Sequence, residues 1–144
     1  MKTLLLALLL AAGTGCTVAD DGFVPMFNGK DLAGWVPVNI APETFSVRDG
    51  MIVTTGQPIG VLRTAKMYEN FIAEFEWRHM QPGGNSGFFI WADPLPAVGG
   101  PFPRGIEIQI LDPGFNVKGK NEWYSTHGDI FAVNGAALTV AGRV

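Results

Sequence analysis

Apolar residues recur along this chain at two-residue spacing, in short runs broken by glycine, proline, asparagine and aspartate. Period two marks a half-buried β-strand, because successive side chains point to opposite faces. FSVRDGMIVTT (45–55) reads as two such runs meeting at Asp49-Gly50, a pair suited to a two-residue hairpin turn. GVLRT (60–64) and SGFFIWAD (86–93) read as further strands, and FVPMF (23–27) as a short one before the turn signal NGKD. In FIAEFEWRHM (71–80), Phe71, Ala73, Phe75 and Trp77 alternate with Ile72, Glu74, Glu76 and Arg78. A helix would scatter Trp77 away from Phe71 and Phe75, so the spacing predicts a strand, closed by the turn QPGGN (81–85). RGIEIQILDPG (104–114) sets Ile106, Ile108 and Ile110 on one face and Glu107, Gln109 and Leu111 on the other. DPLPAVGGPFPRG (93–105) and DPGFNVKGKNE (112–122) are loops at its two ends, and WYSTHGDIFAV (123–133) is mixed.

Short strands, frequent turns and 19 Gly with 10 Pro in 144 residues predict one all-β domain, a sandwich or jelly roll. The strands number roughly seven, fewer than a two-sheet sandwich wants, so the sandwich is expected to be incomplete. A formal net charge of -3 with no lysine or arginine stripe makes nucleic acid an improbable partner.

The opening MKTLLLALLLAAGTGC reads as an export signal, with one lysine, an apolar run from Leu4 to Ala12 and then small residues. Two processing routes fit. Cleavage after Ala19 frees a domain over 20–144, and cleavage before Cys16 leaves a lipid on that cysteine. The expected locations are the periplasm or an outer-membrane lipoprotein. Cys16 is the one cysteine in the chain, so an internal disulfide is excluded.

Polar groups on strands supply the candidate chemistry. Glu74, Glu76 and Arg78, with Glu107 and Gln109, form a charged face if their strands are neighbours. That face reads either as a solvated surface with cross-strand pairs or as a sugar-binding and catalytic surface framed by long loops. His127, in YSTHGD, is the candidate for proton transfer, whereas His79 reads as structural. Glu107, Asp112 and His127 are the set to consider for a divalent metal ion, although their spacing matches no metal signature. Asn85 and Ser86 in GGNSG offer hydrogen bonds at a strand start, and Trp91 and Trp123 offer rings to stack on a sugar. Each of these residues also has an ordinary reading as a turn brace, core or rim residue. No serine-nucleophile elbow, zinc-protease motif or phosphate loop is present.

FNGKDLAGW (27–35), VRDGMI (47–52), YENFIAEFEWR (68–78), GGNSGFFI (83–90), GIEIQILD (105–112) and HGDIF (127–131) together resemble the 3-keto-disaccharide hydrolase family. The resemblance runs from about Phe23 to Ala136. It implies a concanavalin A-like jelly roll, usually exported, acting on 3-keto-glycosides by lyase or hydratase chemistry. The positions it offers for the site are Glu107, Gln109, Arg78, Asn85, Ser86 and His127. In this sequence Asn134 stands where a tryptophan is expected, and AALTVAGRV (136–144) does not follow the family pattern, so a truncated product is expected. The alternatives are a carbohydrate-binding module without catalysis, and a conventional glycosidase using Glu107 with Glu74 or Glu76.

Overall fold

A computed structural model describes residues 22–115 and 126–139. Cys16, Trp123 and the expected leader lie outside the described residues, as does most of the 112–122 loop. The described residues form seven strands and no α-helix. These are β1 (Trp35–Val38), β2 (Phe45–Arg48), β3 (Met51–Thr54), β4 (Val61–Thr64), β5 (Asn85–Ile90), β6 (Gly105–Leu111) and β7 (Ile130–Val133). They pair antiparallel in three sheets, β1-β4, β2-β3 and β5-β6-β7.

The β2-β3 hairpin forms where the sequence places it. Asp49 and Gly50 both take positive φ, 51° and 72°, as a tight turn matched to the twist of its strands demands. Thr44, only 1% exposed, fixes the entrance to β2: its Oγ1 accepts from Ala41 N and donates to Gln57 O, which holds the chain after β3.

β6 lies between β5 and β7, and the apolar core is centred on it. Ile106, Ile110 and Leu111 are buried, each such side chain contributing about 1.5–3 kcal/mol. Leu111 lies on the opposite face from the two isoleucines, so both faces of this strand are covered.

Two expected strands do not form. Residues 23–27 join no sheet, and neither do residues 71–80. The alternation in the second segment is nevertheless real. Phe75 stacks on Phe88 of β5 at 4.6 Å, and His79 Nε2 lies 3.2 Å from the Ile110 carbonyl oxygen. The odd-numbered side chains therefore pack toward the sheet while the backbone finds no ladder partner. β1, in contrast, pairs with β4 although it contains Pro37, which is tolerated on a strand with one open edge.

Candidate functional site

The register of β5-β6-β7 sorts the candidate residues by face. Glu107 lies opposite Phe89 on β5 and Phe131 on β7, so the carboxylate occupies a row between two phenylalanines. Asn85, Gly87, Gln109 and Leu111 share that face. Ser86, Phe88 and the three isoleucines belong to the other.

Gly87 makes the carboxylate's position available. A Cβ at this residue would collide with Glu107 Oε1, so the acidic side chain lies in space that only glycine leaves open. Glu107 is half-buried and has neither a hydrogen-bond nor an ion-pair partner among the described residues. Burial raises its pKa above the ordinary glutamate value, since desolvation penalises the charged form. Beside it, Gln109 Nε2 donates to Asn85 Oδ1 at 3.2 Å. Gln109 is buried, whereas Asn85 is exposed and its amide nitrogen can donate to a ligand hydroxyl. One wall of this face is the 93–104 loop, whose Phe102 stacks on Phe89 at 6.1 Å.

His127 occupies a turn immediately before β7. Its Nδ1 lies 3.5 Å from Leu111 N, and Gly128 N donates to Gln109 O at 2.9 Å. The Trp77 indole lies between two imidazoles, 4.7 Å from His127 and 5.1 Å from His79. Neither the role of His79 as Trp77's second neighbour nor that of Gly87 was visible in sequence; the signal lies only in the paired register. Arg78 is exposed and its guanidinium approaches Met51 Sδ at 3.9 Å, directing it to the β2-β3 hairpin. Trp91 is exposed at the end of β5.

Two expected constellations are not assembled. Glu74 and Glu76 lie on a segment outside the ladder, with their odd-numbered neighbours turned to the sheet, so they do not extend the Glu107 face. Among the described residues no three His, Cys, Asp or Glu side chains are grouped to hold a metal ion. Asp112 follows β6 at odd spacing from Glu107, hence on the opposite face. Its carboxylate accepts from Gly83 N and Gly114 N, and these bonds, that to Gly83 foremost, hold its pKa below the ordinary aspartate value. The residues present do not fit the expected Glu107–Asp112–His127 set. Among the described residues no helix is long and apolar enough to cross a membrane.

The chain can be compared with known proteins on this footing. A curated relative, a 3-keto-disaccharide hydrolase from Bacteroides thetaiotaomicron, is 32% identical over 85 residues, covering 52% of this chain. The chain spans 29% of that relative's length. No solved structure matches it. The model of the 3-keto-alpha-glucoside-1,2-lyase-like domain matches residues 22–141, a span that contains all seven strands and Glu107 itself, and the chain belongs to that family.

Proposed function

We propose that this all-β chain is a jelly-roll domain over residues 20–144, exported by a leader over 1–19, that cleaves 3-keto-glycosides with Glu107 as the base. A ketone at C3 of a sugar acidifies the C2 proton. Glu107 takes that proton, the C2–H electrons form the C1=C2 bond, and the C1–O bond breaks with its electron pair leaving on the glycosidic oxygen. A proton from an acid completes the leaving alcohol. Addition of water across the new double bond then gives the free 3-keto sugar.

The observation that carries this reading is the position of Glu107 between Phe89 and Phe131, without a polar partner among the described residues and with its pKa raised by burial. A carboxylate whose pKa is raised is a stronger base. Asn85 and Gln109 would orient sugar hydroxyls alongside it. His127 Nδ1 lies at Leu111 N, four residues along β6 from Glu107, which is about 13 Å in an extended strand. That span suits contact with the far end of a glycoside and not removal of the same proton. Trp123 is proposed as a further substrate contact; Ser86, on the opposite face of β5, and Arg78, directed to the β2-β3 hairpin, are not assigned to this site. By the alternative route, cleavage before Cys16, a lipid on that cysteine would anchor the domain.

The direct test is turnover of 3-keto-trehalose by this chain and by its Glu107→Gln and His127→Ala variants. Loss of roughly a hundredfold or more in kcat is expected for Glu107→Gln, with a smaller change concentrated in KM for His127→Ala. Full activity in Glu107→Gln would overturn the assignment. A binding module without catalysis would show sugar affinity and no turnover in any form of the protein.

A further inference from the structure

The 93–104 loop carries Phe102 between Pro101 and Pro103. Each proline fixes its own φ, and the residue before a proline is confined to extended backbone, so the ring is carried on a stiff segment. Hydrogen bonds hold the same residue in space. Its carbonyl oxygen accepts from Ala97 N at 2.9 Å and from Asn134 Nδ2, just beyond β7, also at 2.9 Å. Pro103 is buried whereas Phe102 is 38% exposed, so the loop turns its proline inward and leaves much of the aromatic ring open.

The register puts that ring on the face of Glu107. Asn85, Gly87 and Phe89 follow one another on this face, all within the regular pairing of β5 with β6. The Glu107 carboxylate fills the space above Gly87, where an added Cβ would meet it. Phe102 lies on Phe89 with 6.1 Å between centroids and 18° between the ring planes. Gly87 and Phe89 are two residues apart, about 7 Å along the strand. The carboxylate is thus flanked on one side by Asn85, bonded to Gln109, and on the other by Phe89 with Phe102. The step from carboxylate to rings is about the length of one pyranose.

We propose that Phe102 determines specificity by stacking on the sugar ring that gives its C2 proton to Glu107. The chemistry proposed above, on which this assignment rests, changes the shape of that ring. In the substrate it is a chair. Once the C2 proton and the C1 substituent have left, the ring oxygen, C1, C2, C3 and the ketone oxygen lie in one plane and share a π system. A flat conjugated ring meets an aromatic face over its whole area, whereas a chair meets it only through C–H bonds. A phenylalanine already in place therefore binds the altered sugar more tightly than the starting one, which is the condition for lowering a barrier. Having no hydrogen-bonding group, it reads ring shape and not hydroxyl pattern. The rest of the glycoside runs the other way, past Asn85 toward His127 at the far end of β6.

The probe is kojic acid, a flat hydroxypyranone with the same sequence of ring oxygen, double bond, hydroxyl and ketone as the eliminated sugar. Unoxidised trehalose, whose rings are chairs, is the control. Calorimetry on the parent protein should show kojic acid bound with roughly millimolar Kd or better, and trehalose about tenfold more weakly. Phe102→Ala should lose about tenfold in affinity for kojic acid. Phe102→Leu keeps apolar bulk against Phe89, so it should lose about fivefold at an unchanged melting temperature, which separates ring loss from misfolding. Phe102→Tyr should stay within about threefold of the parent, since a ring remains. Equal binding of kojic acid by the parent and Phe102→Leu, no binding by the parent up to about 10 mM, or kojic acid bound no better than trehalose would overturn the assignment. Turnover of 3-keto-trehalose is scored separately, with Phe102→Leu lowering kcat about fivefold and leaving KM nearly unchanged. Phe102-dependent binding of kojic acid without turnover sinks the role of Glu107 and keeps the aromatic site. Turnover that needs Glu107 and not Phe102 does the reverse.

Discussion

The β2-β3 hairpin and the β5-β6-β7 sheet are built from the same kind of alternating sequence and end up in different environments. In the hairpin, four residues pair with four across a turn of two, and no residue of either strand is fully buried. In the larger sheet, β6 pairs along most of its length on both sides, and five of its seven residues are buried. A local ribbon can form from its turn alone, but it leaves both faces wet. A strand held by partners distant in sequence loses water on both faces, and a polar residue on it acquires altered properties. Glu74 and Glu107 are both glutamates at alternating positions; Glu74 is exposed, whereas Glu107 is half-buried, and that burial raises its pKa.

The contrast should be broken most strongly at the core of the larger sheet. Ile110→Ala is expected to destabilise the protein by roughly 2–4 kcal/mol, and Ile52→Ala in the hairpin by about 1 kcal/mol, read as midpoint shifts in urea unfolding. Equal costs would mean that the two regions share one core. Gly87→Ala comes next. It displaces the end of a flexible side chain rather than backbone, so stability should change little, while turnover should fall about a hundredfold as Glu107 is pushed from its place. Gly50→Ala should cost about 1 kcal/mol through its positive φ and leave turnover unchanged, since it acts on the hairpin alone.

The smallest effect concerns pH. The pKa of Glu107 is higher in the folded chain than in the unfolded one, so folding favours the protonated form and this group's contribution is lost as pH rises through the folded value. Glu107→Gln should therefore melt at a higher temperature than the parent at pH 7. The gain should shrink as pH falls toward the ordinary glutamate range. A difference that grows on acidification would contradict the burial of this carboxyl.

Much of the local structure was legible. Asp49-Gly50, the two faces of residues 105–111 and the turn at 81–85 follow from side-chain period and turn chemistry, which are local properties. Residues 71–80 mark where that reading ends. Alternation states which side chains turn inward, and Phe75 and His79 do so, but it cannot state whether the backbone has a neighbour to bond. The grouping of Glu107 with Gly87, Asn85 and Phe131 depends on register between distant strands, which no single segment encodes. The separation of Asp112 from Glu107 was readable in principle, because an odd spacing on one strand puts two side chains on opposite faces.

The 93–104 loop, which walls the Glu107 face, is tied down at every level. Arg104 bridges to Asp93, Pro96 pairs with Pro103, Ala97 N bonds Phe102 O, and Asn134 Nδ2 reaches the carbonyls of Phe102 and Pro103. Its tip, Val98-Gly99, stands clear in solvent with no such ties. Extra residues spliced in at that tip would leave the braced stem and the wall it forms in place, so the loop can lengthen without disturbing the face beside Glu107.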